Sequence, residues 1–116
     1  MSNMQNSIQL IGNLGKDPEI VHMDGGKKMA RVTIATNETM INLKGNEYQE
    51  TQWHNLVVWG KLAEILENFT RKGSKLAVEG MIVNRNYKDK NGQDRFITEI
   101  KVDDLILFGD KNGEIV

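Results

Sequence analysis

The chain of 116 residues has no cysteine, one proline and only seven aromatic residues. Without cysteine there is no disulfide framework, no thiolate nucleophile and no thiolate metal ligand. His22 and His54 are left for metal or acid/base chemistry, and neither has an acidic cluster at metal-binding spacing beside it. No apolar run exceeds a few residues, so nothing spans a bilayer, and the first twenty residues lack the basic flank and apolar block of a signal peptide. The expectation is a cytoplasmic protein. A surplus of one charge is also missing: 15 basic and 16 acidic side chains leave a net charge of -1, which excludes a bulk polyanion magnet. The distribution is less even, since residues 1–60, 61–95 and 96–116 sum to -1, +3 and -3. A mildly basic centre therefore precedes an acidic end.

Catalytic signatures are missing too. Gly12-Asn13-Leu14-Gly15-Lys16-Asp17 follows a strand-like run, but a nucleotide-phosphate loop needs four residues between its glycines and a Ser or Thr after the lysine. Here the spacing is two and Asp17 follows, so the segment reads as a turn. Ser2, Ser7 and Ser74 fall in a tail, a strand and a turn, without a nucleophile elbow. No enzyme is read from this sequence. Asn37-Glu38-Thr39 and Asn68-Phe69-Thr70 match the glycosylation pattern, but a cytosolic chain does not meet that machinery.

What the sequence does contain is alternation. Leu, Ile, Val and Phe supply 31 residues, enough for a packed core, and most apolar runs have the period of two of half-buried strands. Residues 7–14 form the first run, with Ile8 and Leu10 on one face and Gly12 where a bulge or sharp coil wants no Cβ. Asp17-Pro18 bends the chain, residues 19–23 are extended, and Asp24-Gly25-Gly26 closes a hairpin. In residues 28–37, Ala30, Val32 and Ile34 oppose Met29, Arg31, Thr33 and Ala35. The pattern fades over residues 38–47, which read as a long mobile hairpin tip around Lys44-Gly45-Asn46. It returns in residues 48–59, where Trp53, Asn55, Val57 and Trp59 share one face and Gln52, His54, Leu56 and Val58 the other.

One segment, residues 61–70, has helical spacing, with Leu62, Ile65, Leu66 and Phe69 as its buried stripe. Residues 75–88 and 95–107 are strands joined at Lys90-Asn91-Gly92-Gln93, whose Asn-Gly fits a primed two-residue turn. Residues 1–108 form one domain, and residues 109–116 have no pattern and are expected to be a short flexible tail. Three strands, a short helix and two strands is the order of an all-β OB-fold Greek-key barrel with a helix between strands 3 and 4. Period counting alone does not separate it from other small barrels.

Trp53 and Trp59 lie six residues apart, so they occupy one strand face about 20 Å apart at about 3.3 Å per residue. Two flat rings edged by Lys44, Lys61, Lys72, Arg85, Lys88, Lys90 and Arg95, with Arg31 also basic, suit unstacked bases: rings take the bases and cations hold the phosphates. From composition alone, the tryptophans fit the interior of the barrel equally well. Tyr87, flanked by Arg85, Asn86 and Lys88 near a hairpin tip, favours the surface.

Six blocks occur in order: Asn13-Leu14-Gly15-Lys16-Asp17-Pro18-Glu19, Ala35-Thr36-Asn37-Glu38, Thr51-Gln52-Trp53-His54, Trp59-Gly60-Lys61-Leu62-Ala63-Glu64, Arg71-Lys72-Gly73-Ser74 and Val78-Glu79-Gly80. Together, over about residues 5–108, they resemble the bacterial single-stranded DNA-binding protein family. The resemblance implies an OB fold, a homotetramer, and single-stranded DNA wrapped without sequence preference during replication, recombination and repair, in a nucleoid-associated cytoplasmic setting. It implies base stacking by Trp53, Trp59 and Tyr87. Met40 stands where the family often has a further aromatic ring, which predicts weaker stacking there, although a thioether still lies against a base. The family's acidic-tipped tail, which recruits replication and repair enzymes, has no counterpart up to Gly113-Glu114-Ile115-Val116, so the resemblance does not extend to those partners.

His54 and Val58 face away from the tryptophans and pack either in the barrel or at a subunit contact. Two other readings stay open: an OB interaction module of a primosome or repair complex with weak single-strand binding, and RNA binding of the cold-shock type, since a stacking platform has no need of the 2′-hydroxyl.

Overall fold

Strands rich in Ile, Val and Thr must pair on both edges or leave open backbone donors. The computed structural model describes residues 5–108, and there the chain meets this demand by closing a barrel. Its elements are β1 (Ile8–Leu14), β2 (Glu19–His22), a single 3-10 turn (Asp24–Gly26), β3 (Lys28–Ile41), β4 (Glu47–Trp59), α1 (Lys61–Phe69), β5 (Lys75–Lys88) and β6 (Asp94–Leu107). The sheet order is β1-β5-β6-β4-β3-β2, and a further β1–β3 pairing at Asn13↔Ala35 and Leu14↔Ile34 shuts the ring. β2 continues the antiparallel pairing of β1 along β3 after the Asp17-Pro18 bend. The two count as one barrel strand, which makes five, with the helix between the third and fourth.

At Gly12, β1 turns from β5 toward β3 so tightly that a Cβ would stand 2.1 Å from the Ala35 carbonyl oxygen. The missing side chain is what permits closure there. The barrel interior holds Val32, Ile34, Leu56, Val58, Leu76, Val78, Ile100 and Val102, and Ala63 and Leu66 of α1 plug one end. The mixed parity of β3 and β4 thus resolves as read: even positions of β3 point inward, odd positions outward.

Three expectations are corrected. The long tip over residues 38–47 is instead a two-stranded arm: β3 runs to Ile41, β4 starts at Glu47, and only residues 42–46 turn. Alternation fades because the arm stands beyond the core and almost all of it is exposed, not because pairing stops. The Asn42 side chain closes the turn by accepting from the N–H groups of Lys44 and Asn46. At the β5–β6 tip, Gly92 alone adopts positive φ while Asn91 does not, so the primed two-residue turn is absent. A five-residue loop stands there, with the Asp89 carboxylate accepting from the N–H groups of Asn91 and Gln93. In α1, Phe69 is exposed and Ala63 takes its place in the buried stripe, Phe69 being the last residue of the helix. Of the two places open to Val58, the barrel is the one it takes, wholly buried in the core.

Candidate nucleic-acid interface

The outward face of β3 and β4 carries the candidate site. Register sets Trp53 opposite Ala35, Asn55 opposite Thr33, Val57 opposite Arg31 and Trp59 opposite Met29, all on one side of the pair. Trp53 is 61% exposed and Trp59 39%. Neither fills the barrel. Gly15, at the end of β1, lies directly against the Trp53 ring: a Cβ there would meet Trp53 Cζ3 at 2.4 Å and Thr33 Oγ1 at 3.0 Å. The glycine is the floor on which that ring rests.

β5 and β6 extend the same face. Met81, Val83, Arg85 and Tyr87 alternate along β5 and pair with Lys101, Glu99, Ile97 and Arg95. Tyr87 is 42% exposed, and the Arg85 guanidinium carbon stands 5.9 Å from its ring centroid. The Glu99 side chain is buried and receives two arginines of this face, Arg31 and Arg85. Arg31 Nη1 donates to Glu99 Oε2 at 3.1 Å, Arg85 Nε to Oε1 at 3.1 Å and Arg85 Nη2 to Oε2 at 3.4 Å. The Glu99 hydrogen bond lifts the Arg85 pKa further above its ordinary value, so that side chain is a permanent cation. Beneath lies a cleft of about 130 Å³ lined by Lys16, Thr33, Arg31, Asn55, Ile97 and Glu99, among others.

The remaining basic residues divide by partner. Lys88 pairs with Asp94 at 3.1 Å and Arg95 with Asp89 at 2.9 Å, both on the β5–β6 hairpin. Lys44 at the tip of the arm, Lys61 at the start of α1, Lys72 in the α1–β5 loop and Lys90 at the hairpin tip are exposed and form no ion pair among the described residues. Met40 and its cross-strand neighbour Tyr48 lie on the opposite face of the arm from the tryptophan row, the face that continues the barrel interior. His54 is on that inward face as well, sharing a hydrogen bond of 3.1 Å with Thr36 Oγ1.

Sequence reasoning had not singled out Glu99, Gly15, Lys16, Tyr48 or Phe96 as site residues. Tyr48 and Phe96 are exposed aromatics on the arm and the β5–β6 hairpin, visible in principle as rings in otherwise polar strands. Glu99 meets Arg31 across 68 residues of sequence, and no local signal announces that pairing.

A closed five-stranded barrel with this helix insertion and an outward row of rings and cations defines an OB-fold protein of the oligonucleotide-binding kind. Residues 5–108 match the Single-strand binding protein family. A Xylella fastidiosa (strain 9a5c) protein named single-stranded DNA-binding protein 1 is 43% identical over 107 residues, covering 91% of this chain and 79% of that protein. The structure is similar to a Plasmodium falciparum single-strand binding protein complexed with single-stranded DNA, with a TM-score of 0.84 and 33% identity over 90% of this chain and 95% of that one. A Thermus aquaticus single-stranded DNA-binding protein deletion mutant shares the fold, with a TM-score of 0.80 at 20% identity, covering 96% of this chain and 53% of that one. The chain belongs to the single-strand binding protein family.

Proposed function

We propose that this chain binds single-stranded DNA without sequence preference and shields it during replication, recombination and repair. The observation that carries this is the exposure of Trp53 and Trp59 on one face, continued by Tyr87 and edged by cations. Unpaired bases stack on such rings at about 1–3 kcal/mol each, whatever their identity. Lys44, Lys61, Lys72 and Lys90 neutralise phosphates, with Lys88 and Arg95 able to exchange an internal carboxylate for one. Duplex DNA hides its base faces and is a poor ligand. Membership in a family of non-catalytic DNA-binding proteins supports a binding role, not an enzymatic one.

The binding module is residues 1–108 and its setting the cytoplasm with its nucleoid. No helix among the described residues is long and apolar enough to cross a membrane. We read the working form as a homotetramer. Ile11, Ala77 and Ile106 stand in register on the outward face of β1, β5 and β6, with Ile11 and Ile106 largely exposed. Residues 8–12 of β1 pair only with β5 among the described residues, which leaves one strand edge for a second copy.

A tryptophan fluorescence titration with oligo(dT), set against duplex DNA of equal charge, tests the reading. Quenching by the single strand alone, weakened by salt, is the expected result. A protein that shows no quenching and no competition by single strands does not use this face for DNA.

A further inference from the structure

We propose that Glu99 is a positioning residue of the binding face, holding Arg31 and Arg85 as fixed flat plates that stack bases instead of as cations that seek phosphates. This rests on the reading of that face as the single-strand binding surface. Three observations carry it. First, Glu99 is a carboxylate only 6% exposed, placed in the middle of a DNA-binding face, where its charge would repel phosphates if it did not serve another purpose. Second, both arginines bind it through guanidinium edges: Arg85 with Nε and Nη2, Arg31 with Nη1. An edge held in this way spends N–H groups and charge on the protein while leaving the planar faces open for stacking. Third, both arginines remain about 40% exposed as side chains (39% and 41%), and Arg85 already stands over the Tyr87 ring. The trio Arg31, Glu99 and Arg85 has a net charge of +1, so it contributes less to counterion release than two free cations would. Arg85 stands beside Tyr87, and Arg31, opposite Val57, lies between the rows of Trp53 and Trp59 on the same face, so the two guanidinium planes extend the stacking surface beyond its rings.

The test is the salt dependence of oligo(dT) binding by the full chain and two variants, with melting curves as a check on folding. Arg85→Lys keeps the cation and loses the plate. The expected result is affinity about three- to tenfold weaker at every salt concentration, with the wild-type slope. Unchanged affinity, or a loss accompanied by a shallower slope, would make Arg85 a phosphate contact and overturn the proposal. Glu99→Gln removes the charge that pairs the arginines while keeping an acceptor oxygen. It is expected to steepen the slope of log K against log salt by about 0.7 to 1.4, the share of one or two added phosphates on a single strand. A folded Glu99→Gln protein with the wild-type slope refutes a positioning role, because a merely structural carboxylate leaves the slope where it was. If that variant melts at room temperature, Arg85→Lys decides alone. Failure of the wild-type chain to bind oligo(dT) would instead remove the underlying reading, an outcome distinct from wild-type binding with indifferent variants.

Discussion

Substituting Gly15 by alanine is predicted to damage DNA binding while sparing the fold. The new Cβ would stand 2.4 Å from Trp53 Cζ3, whereas carbon atoms in contact settle at about 3.5 to 4.0 Å, so the ring must withdraw by about 1 Å or more. The φ of Gly15 is outside the left-handed region, so its backbone accepts a side chain. The conflict falls on the end of an exposed ring and not on backbone, and a rotamer strain of about 0.5 to 1.5 kcal/mol is the most that folding loses. Binding loses more. If Trp53 can no longer lie flat, up to its whole stacking contribution disappears, about 1 to 3 kcal/mol, which is about a five- to hundredfold weaker complex at 1.4 kcal/mol per decade. The assay is fluorescence titration with oligo(dT) beside thermal melting, repeated in a Trp53→Ala background. There Gly15→Ala should cost nothing further, because its effect runs through the ring. Wild-type affinity in the single variant, or full additivity in the double, would refute the idea that Gly15 seats Trp53.

Other outcomes follow from the same structure. Trp59→Ala should weaken binding by about 1 to 3 kcal/mol on homopolymers of any base, read by competition titration; a loss confined to one base would contradict sequence-independent stacking. Gly12→Ala places a methyl 2.1 Å from the Ala35 carbonyl oxygen at the closing seam, and should lower the melting midpoint far more than Gly15→Ala does. Asp89 has its carboxyl held below the ordinary value of 3.8, chiefly by the Arg95 guanidinium and then by the N–H groups of Gln93 and Asn91. The unfolded chain therefore takes up that proton first, at higher pH. The stabilisation from Asp89 is complete above its ordinary value and fades as pH falls through the lower folded value, which an NMR titration of its carboxyl and of the Gly92 amide would show. Lys44→Ala and Lys90→Ala should each reduce the slope of log K against log salt by about 0.7; a loss of affinity with an unchanged slope would mean that neither lysine meets a phosphate.

Much of this molecule is written locally. Period two over residues 28–37 and 48–59 assigns the inner and outer faces of β3 and β4, and with them the shared face of Trp53 and Trp59, because a strand side chain can point only one of two ways. The 3.6-residue spacing near Leu62 and Leu66 marks the one helix, and Gly12 marks a point of close backbone approach. Sequence reading goes astray where solvent removes the apolar signal or where an element's end decides burial: the paired but exposed arm, Phe69 at the last position of α1, and the tip whose Asp89 cap replaces a primed turn. Whether Trp53 and Trp59 faced the core or the solvent could not be told from alternation, which distinguishes two faces without saying which is wet. Closure of the barrel by Asn13 and Leu14 on β3 decides that. The same closure brings Gly15 beneath Trp53 and Glu99 between Arg31 and Arg85. Gly15 with Trp53 and Arg31 with Glu99 join residues tens of positions apart, and these contacts exist only once the loop entropy separating them has been overcome by a common core.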